Sequence, residues 1–210
     1  MKIRQIKLSK MDTFCYIITD EANQTAAVID PAFDTDKILK IVSDDGSTIT
    51  HLINTHCHSD HTSGNAAILS ATNAQLCIHK QDADNLSGFL NKTFSLFLGG
   101  KGSPRPDILL EDGNEILIGK TKLRILHTPG HTKGGICIYT DGNVITGDTL
   151  FVGAVGRTDL PGGSFEKLYA SIHQKIYTLP DETIVWPGHD YGSTPHSTVG
   201  QERNTNPFTR

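Results

Sequence analysis

The feature that most constrains this 210-residue chain is the run Thr55-His56-Cys57-His58-Ser59-Asp60-His61. It stands straight after the apolar, strand-like segment Ile49-Thr50-His51-Leu52-Ile53. Four good metal ligands within six positions are hard to explain by packing. Imidazole nitrogens and carboxylate oxygens suit zinc, iron and manganese, and no thiolate is needed. Because the loop leaves a strand end, alternate side chains can point to two neighbouring centres, His56 and His58 to one, Asp60 and His61 to the other. Three later sites extend the pattern: His131 in Thr128-Pro129-Gly130-His131-Thr132, Asp148 in Thr146-Gly147-Asp148-Thr149, and His189 in Trp186-Pro187-Gly188-His189-Asp190. Each pairs a Gly-containing turn with a ligand. Singly they are weak signals, but together and downstream of the His cluster they require a fold in which distant loops converge. The isolated His51, His79, His127, His173 and His196 are read as surface or hydrogen-bonded residues.

Periodicity predicts how the chain reaches those loops. Ile3 to Leu8, Phe14 to Thr19, Ala26 to Ile29, Ile49 to Ile53 and Gln75 to Ile78 read as strands, with helices around Ile38 to Val42 and from Gly64 to Thr72. The second half repeats the plan, with strands at Glu115 to Ile118, Lys122 to Leu126, Gly135 to Tyr139, Val144 to Thr146 and Thr183 to Trp186. Phe165, Leu168, Tyr169, Ile172, Ile176 and Tyr177 fall on one helical face, with Ser164 as cap and Pro180 as stop. Strands then helix, twice over, predict two packed sheets with helices outside. No linker divides the chain, so residues 1–210 are read as one domain. The least regular stretch is Leu86 to Pro106. Its Gly99-Gly100-Lys101-Gly102-Ser103-Pro104 segment reads as a mobile loop, either a lid over a site or a plain surface connection.

Composition narrows the partners. At 37% hydrophobic and 20% charged residues the chain is ordinary for a folded protein, and its net charge of -4 carries no basic stripe. Nucleic acid is therefore not expected as a partner. No apolar run approaches bilayer thickness, so no membrane partner is expected. Met1 to Ile6 alternates like a strand and lacks a signal-peptide core, which makes the cytoplasm the expected compartment. An oligomer is left open. Cys15, Cys57, Cys77 and Cys137 are scattered without a Cys-x-x-Cys pair, which argues against a zinc knuckle or a disulfide scaffold and for buried thiols.

On these residues the chain resembles the metallo-β-lactamase superfamily, whose ordered pattern of T-H-x-H-x-D-H, then His, then Asp, then His it meets in full. The resemblance implies an α/β (α+β) four-layer αββα sandwich, the metallo-β-lactamase fold, with two divalent metal ions at one edge, zinc first, iron or manganese as alternatives. It implies that His56, His58 and His131 bind the first ion, that Asp60, His61 and His189 bind the second, and that Asp148 bridges. Such a pair would activate water for attack on an acyl carbon, with Asp60 and Asp148 as the catalytic carboxylates and no side-chain nucleophile required. Ser59 and Cys57 accordingly take structural readings. The main zinc subclass of true β-lactamases places a Cys where this chain has Asp148, so an antibiotic-destroying role is not expected.

Within the superfamily, Thr146 to Val152 and Gly156-Arg157-Thr158-Asp159-Leu160-Pro161-Gly162-Gly163-Ser164 resemble the glyoxalase II group, the hydroxyacylglutathione hydrolases. That implies a small-molecule partner, a glutathione thioester such as S-lactoylglutathione. Arg157 falls where the larger enzymes carry a Lys that contacts the glutathione carboxylate. Its alternative is a structural pair with Asp159, which itself replaces a family Tyr. The chain also lacks the length for the family's helical C-terminal extension. Asn54 to His58, Gly156 to Asp159 and the tail pattern from His189-Asp190-Tyr191 to Asn206-Pro207 resemble persulfide dioxygenases as well, which use one iron held at positions matching His56, His131 and Asp148. Lactonases of the superfamily often use a nearby Tyr. Tyr191 is the candidate substrate-binding residue on that ground, or a packed tyrosine with its hydroxyl at the surface. A non-enzymatic metal-binding protein is the remaining alternative.

Overall fold

The computed structural model describes residues 1–210, and in it the strands gather into two six-stranded sheets. In chain order the first contains β1 (Lys2–Lys7), β2 (Phe14–Asp20), β3 (Thr25–Ile29), β4 (Thr48–Ile53), β5 (Gln75–His79) and β6 (Ile108–Leu110), each paired with the next. β1 to β3 form antiparallel hairpins, while β3 to β6 run parallel through crossovers. Those crossovers carry α1 (Thr35–Asp44), α2 (Ser59–Thr62), α3 (Asn65–Ala71), α4 (Ala83–Leu86) and α5 (Phe89–Phe97). The second sheet begins with β7 (Glu115–Ile118), β8 (Thr121–His127), β9 (Ile136–Thr140) and β10 (Asn143–Gly147). A small hairpin, β11 (Leu150–Phe151) with β12 (Ala154–Val155), and the helix α6 (Phe165–Ser171) follow. β13 (Ile184–Pro187) then returns parallel to β10, β14 (Ser197–Thr198) closes that edge, and α7 (Val199–Thr205) ends the chain.

Side-chain alternation explains why the sheets stack. Successive strand residues point to opposite faces, so a strand buried on both faces feeds two cores. On β2, Phe14, Tyr16 and Ile18 enter the core between the sheets, whereas Cys15 and Ile17 join a core shared with α1 and α3 through Ile38, Val42 and Ile68. The same split separates Ala27 and Ile29 from Ala26 and Val28 on β3, and Cys77 from Leu76 and Ile78 on β5. Across the interface, Ile116, Ile118, Leu123, Ile125, Ile136, Ile138 and Ile145 complete the inter-sheet core. Cys137 and Val144 face the other way, onto Leu168 of α6 and Val199 of α7. Three cores thus separate four layers, helix, sheet, sheet, helix, as expected.

The expected strands lie within a residue or two of those observed. The helix expected through Tyr177 stops at Ser171 and continues as a π-helical turn, Ile172–Ile176, and Ser164 caps it as expected by accepting from the Lys167 backbone N–H. Eight elements escaped sequence reading: α2, α4, α5, β6, β11, β12, β14 and α7. In α5 the usual pattern is inverted, with Phe89, Leu90, Phe94 and Phe97 exposed and Ser95 buried, so a core-facing stripe is the wrong template for it. The Gly99 to Pro104 stretch, read as a mobile loop, is anchored. Gly100 N–H donates to the Ser95 carbonyl at 2.8 Å, Gly102 N–H to Ser95 Oγ at 2.9 Å, and Asn65 Nδ2 to Ser103 Oγ at 2.9 Å. No helix is long and apolar enough to cross a membrane.

Candidate metal centre

The ligand loops all leave the same edge of the sandwich. His56, His58, Asp60 and His61 follow β4 into α2, His131 lies in the turn between β8 and β9, Asp148 follows β10, and His189 follows β13. The structure brings all seven together. One ligand atom from each member of three groups lies within 4.8 Å of its fellows: His56, His58 and His131; His56, His61 and Asp148; Asp60, His61 and His189. Asp148 sits between the outer two, with Oδ1 3.3 Å from His61 Nε2, and Oδ2 3.4 Å from His131 Nε2 and 3.5 Å from His189 Nε2. Asp60 Oδ2 faces His189 Nε2 at 3.6 Å. The turn after β13 must be glycine, because a Cβ on Gly188 would lie 2.4 Å from Asp148 Oδ1.

The far nitrogen of each ring fixes which nitrogen faces the centre. Carbonyl and carboxylate oxygens only accept, so His131 Nδ1–H donates to the Arg157 carbonyl (2.7 Å), His189 Nδ1–H to the Met11 carbonyl (2.9 Å), and His61 Nδ1–H to Asp30 Oδ2 (3.0 Å). Thr55 spends its hydroxyl proton on Asp30 Oδ2 at 2.6 Å, leaving Oγ1 to accept from His56 Nδ1–H at 3.1 Å. Four Nε2 lone pairs are thereby aimed inward, the arrangement metal-ligating histidines require. His58 is turned the other way, with Nδ1 2.9 Å from His131 Nε2. His61 Nε2 and His189 Nε2 approach to 3.1 Å. Zinc–nitrogen bonds near 2.05 Å at tetrahedral angles set ligand nitrogens about 3.3 Å apart.

Two observations test whether the site fits metal ions. His56 Nε2 and Asp148 Oδ1 are buried side-chain atoms with no hydrogen-bond partner, an expensive state for polar groups unless a cation lies between them. The donor set, five imidazoles and two carboxylates, suits divalent zinc, iron or manganese. The residues fit. Burial and neighbouring rings push His56 well below the ordinary histidine range and His58 down to about 4, keeping both as neutral donors. At His61, by contrast, burial is outweighed by the charges of Asp148, Asp30 and Asp60, which raise it well above that range, so a bound ion would displace a proton there. Burial would raise the Asp148 carboxyl, but His61 and His189 outweigh it and hold it well below the usual range, so it is ionised.

The two substrate candidates divide. Tyr191 lies against the centre, its ring stacked on His189 at 4.6 Å between centroids and 6° between planes, and edge-on to Phe151 at 5.5 Å. Burial, then the charges of Asp148 and Asp60, push its phenol up to about 12, so it stays a proton donor. Arg157 puts its carbonyl on His131 but turns its guanidinium outward into a bidentate pair with Asp159, at 2.8 and 2.7 Å. Cys57 is buried, and burial and Asp82 push its thiol up, which suits a structural residue. His79 stacks on His127 and His173 on Tyr169, both apart from the centre. A cleft of about 760 Å³ beside His127, Lys133 and Lys167 includes none of the seven candidate ligands among its lining residues.

Sequence reading missed the supports. Asp30, buried and left-handed at φ 52°, joins His61 to Thr55, whose N–H it also accepts at 2.8 Å. The turn at Met11 and Asp12, with φ of 60° and 51°, carries the carbonyl that orients His189. A lone Asp after a strand and a backbone carbonyl leave no readable mark in one sequence.

A four-layer sandwich with converging His and Asp loops at one edge defines a metal-dependent enzyme class. The sequence profile of the Metallo-beta-lactamase superfamily matches residues 9–189, and the chain belongs to that superfamily. It is 33% identical to the mitochondrial persulfide dioxygenase ETHE1 of Bos taurus over 209 residues, covering 98% of this chain and 74% of that one. It is 36% identical to a hydroxyacylglutathione hydrolase of Polaromonas over 182 residues, 85% of this chain and 62% of the relative. Among solved structures, BLEG-1, a B3 metallo-beta-lactamase, matches with TM-score 0.89 at 31% identity over 99% of each chain. TTHA1623 in a di-iron-bound form matches with TM-score 0.84 at 32% identity, over 98% of this chain and 99% of that one. The chain is an enzyme of this superfamily.

Proposed function

We propose that the protein hydrolyses a small thioester of the S-lactoylglutathione type, using two metal ions held by His56, His58 and His131 on one side, Asp60, His61 and His189 on the other, with Asp148 between them. The observation that carries the reading is the completeness of the second group. Asp60, His61 and His189 come within ligand distance of one another, and His61 and His189 are oriented by Asp30 and the Met11 carbonyl. A one-ion oxygenase would draw on His56, His131 and Asp148 of the same set, so occupancy of the second group by an ion is what separates the two readings. A relative of similar structure binds two irons, and a relative of similar sequence is a hydroxyacylglutathione hydrolase.

Ions bound here supply Lewis acidity and a water made acidic enough to attack at neutral pH. The protein's own residues then divide the remaining work. Asp148 and Asp60 hold charge next to the reacting centre. Asp60, 22% exposed at its side chain, would take up the proton of the attacking water. The Tyr191 phenol stands over His189 and donates a hydrogen bond to the substrate. A thiolate leaves with little need of an acid. Arg157 takes part in binding only if a substrate carboxylate displaces Asp159. The substrate partner is a small thiol-derived molecule, with neither nucleic acid nor membrane.

Whole-chain likeness to a persulfide dioxygenase supports a second reading, oxidation of glutathione persulfide with oxygen through one iron at His56, His131 and Asp148. Likeness to BLEG-1 also brings β-lactams back among the substrates, against the expectation drawn from Asp148. Protein loaded in turn with zinc, iron and manganese is offered each substrate. Loss of the S-lactoylglutathione thioester absorbance supports hydrolysis. Oxygen uptake with sulfite release, or β-lactam opening without thioester cleavage, overturns it.

A further inference from the structure

Asp82 stands just beyond β5, before α4, and is fully buried. Its carboxylate accepts three hydrogen bonds from two separate loops. Oδ2 accepts from the Cys57 backbone N–H at 3.0 Å and from Thr132 Oγ1 at 2.7 Å, and Oδ1 accepts from the Gly134 backbone N–H at 2.7 Å. Cys57 lies between His56 and His58, and Thr132 follows His131. One side chain therefore grips the backbone between the first two ligands of the first group and the residue adjoining the third. Packing allows little play: a Cβ on Gly134 would lie 2.7 Å from the Asp82 carboxyl carbon.

The charge is as telling as the geometry. Asp82 joins none of the ion pairs in the molecule. The nearby His79 is pushed down to about 4 by burial and His127, so it is neutral at pH 7 and offers no balancing charge. Buried carboxylates without a cation are rare unless a metal is close. The first group consists of three imidazoles, which bring no negative charge of their own to a divalent ion.

We propose that Asp82 is the positioning residue of the first metal centre, clamping the His56–His58 loop to the His131 loop and supplying a buried negative charge beside them, without touching metal or substrate. This rests on the metal-centre reading above. Three ligands from two loops must meet to within about 0.5 Å, and a carboxylate bonded to both loops sets that spacing. Asp82→Asn keeps the shape but removes the charge and turns an N–H₂ toward an N–H donor. Thr132→Val removes a single strand of the clamp.

The test measures zinc affinity by competition with a chromophoric chelator, each variant being placed in two backgrounds. His189→Ala cripples the second centre and reports on the first, and His58→Ala does the reverse. In the His189→Ala background, Asp82→Asn is expected to weaken zinc about 10- to 100-fold and Thr132→Val about threefold to tenfold. In the His58→Ala background both are expected to stay within about twofold. Denaturation of the metal-free proteins reports folding separately, and if Asp82→Asn fails to fold, Thr132→Val carries the test. Unchanged affinity in the first background, or equal losses in both, overturns the proposal. A wild-type chain that binds zinc at no site overturns the metal reading beneath it as well.

Discussion

Asp30→Asn separates shape from proton placement at the second centre. Asp30 is 1% exposed and accepts from Thr55 N–H at 2.8 Å, Thr55 Oγ1 at 2.6 Å and His61 Nδ1 at 3.0 Å. Asparagine fills the same volume and its carbonyl oxygen can keep the Thr55 N–H. Its amide nitrogen, however, must now donate where Oδ2 accepted. The Thr55 hydroxyl can rotate, but His61 Nδ1 must become an acceptor, which moves the ring proton to Nε2 and aims it at the metal. Losing one charge-assisted hydrogen bond costs about 1.5–3 kcal/mol, tolerable within a total stability of roughly 5–15 kcal/mol. Loss of the correct tautomer should be felt as about 10- to 100-fold weaker metal binding at the second centre. Urea denaturation of the metal-free protein and chelator competition on the zinc form read the two effects independently. A variant that is destabilised as stated yet binds two zinc ions as tightly as wild type would refute the claim that Asp30 sets the His61 tautomer.

Three further outcomes are expected. Gly188→Ala drives a methyl to within 2.4 Å of Asp148 Oδ1 and 2.8 Å of the Gly147 carbonyl carbon, so elemental analysis should find metal lost, with overpacking costing about 1–3 kcal/mol. Ile138→Ala, fully buried between the sheets, should cost about 2–5 kcal/mol in denaturant without altering the ligand set. Asp20 is held down to about 2 by the Lys120 backbone N–H, then by Asn23. Since its unfolded value is near 3.8, its contribution is complete above about pH 4 and fades as pH falls through 2. Acid titration of Asp20→Asn should therefore show a flatter loss between pH 4 and 2, and an unchanged acid limb counts against the assignment.

Much of the scaffold was legible because burial on both faces of β2 to β5 and of β9 and β10 leaves apolar runs of strand length. What escaped broke that rule for a physical reason. α5 turns its apolar side outward and its hydrogen-bonding Asn91 and Ser95 inward, so burial and hydropathy disagree there. β6 has three residues and depends on the parallel edge of β5 for its hydrogen bonds, which no local pattern encodes. The Gly99 to Pro104 segment looked unconstrained because its constraints are single long-range hydrogen bonds to Ser95 and Asn65.

At the centre, ligand chemistry was local and therefore readable: imidazoles and carboxylates crowded after a strand, then repeated after Gly turns, name the elements a metal would use. Orientation was not. Which nitrogen of each ring faces inward depends on acceptors far away in sequence, Met11 for His189, Arg157 for His131 and Asp30 for His61. The partner of Arg157, two residues on, was written plainly in the chain as one of two readings, and only folding decided that its guanidinium turns toward Asp159. The sequence by itself determined which donors this protein carries, because donor chemistry belongs to individual side chains. Tertiary structure alone decided where their lone pairs point, because that is set by hydrogen bonds closed across the fold.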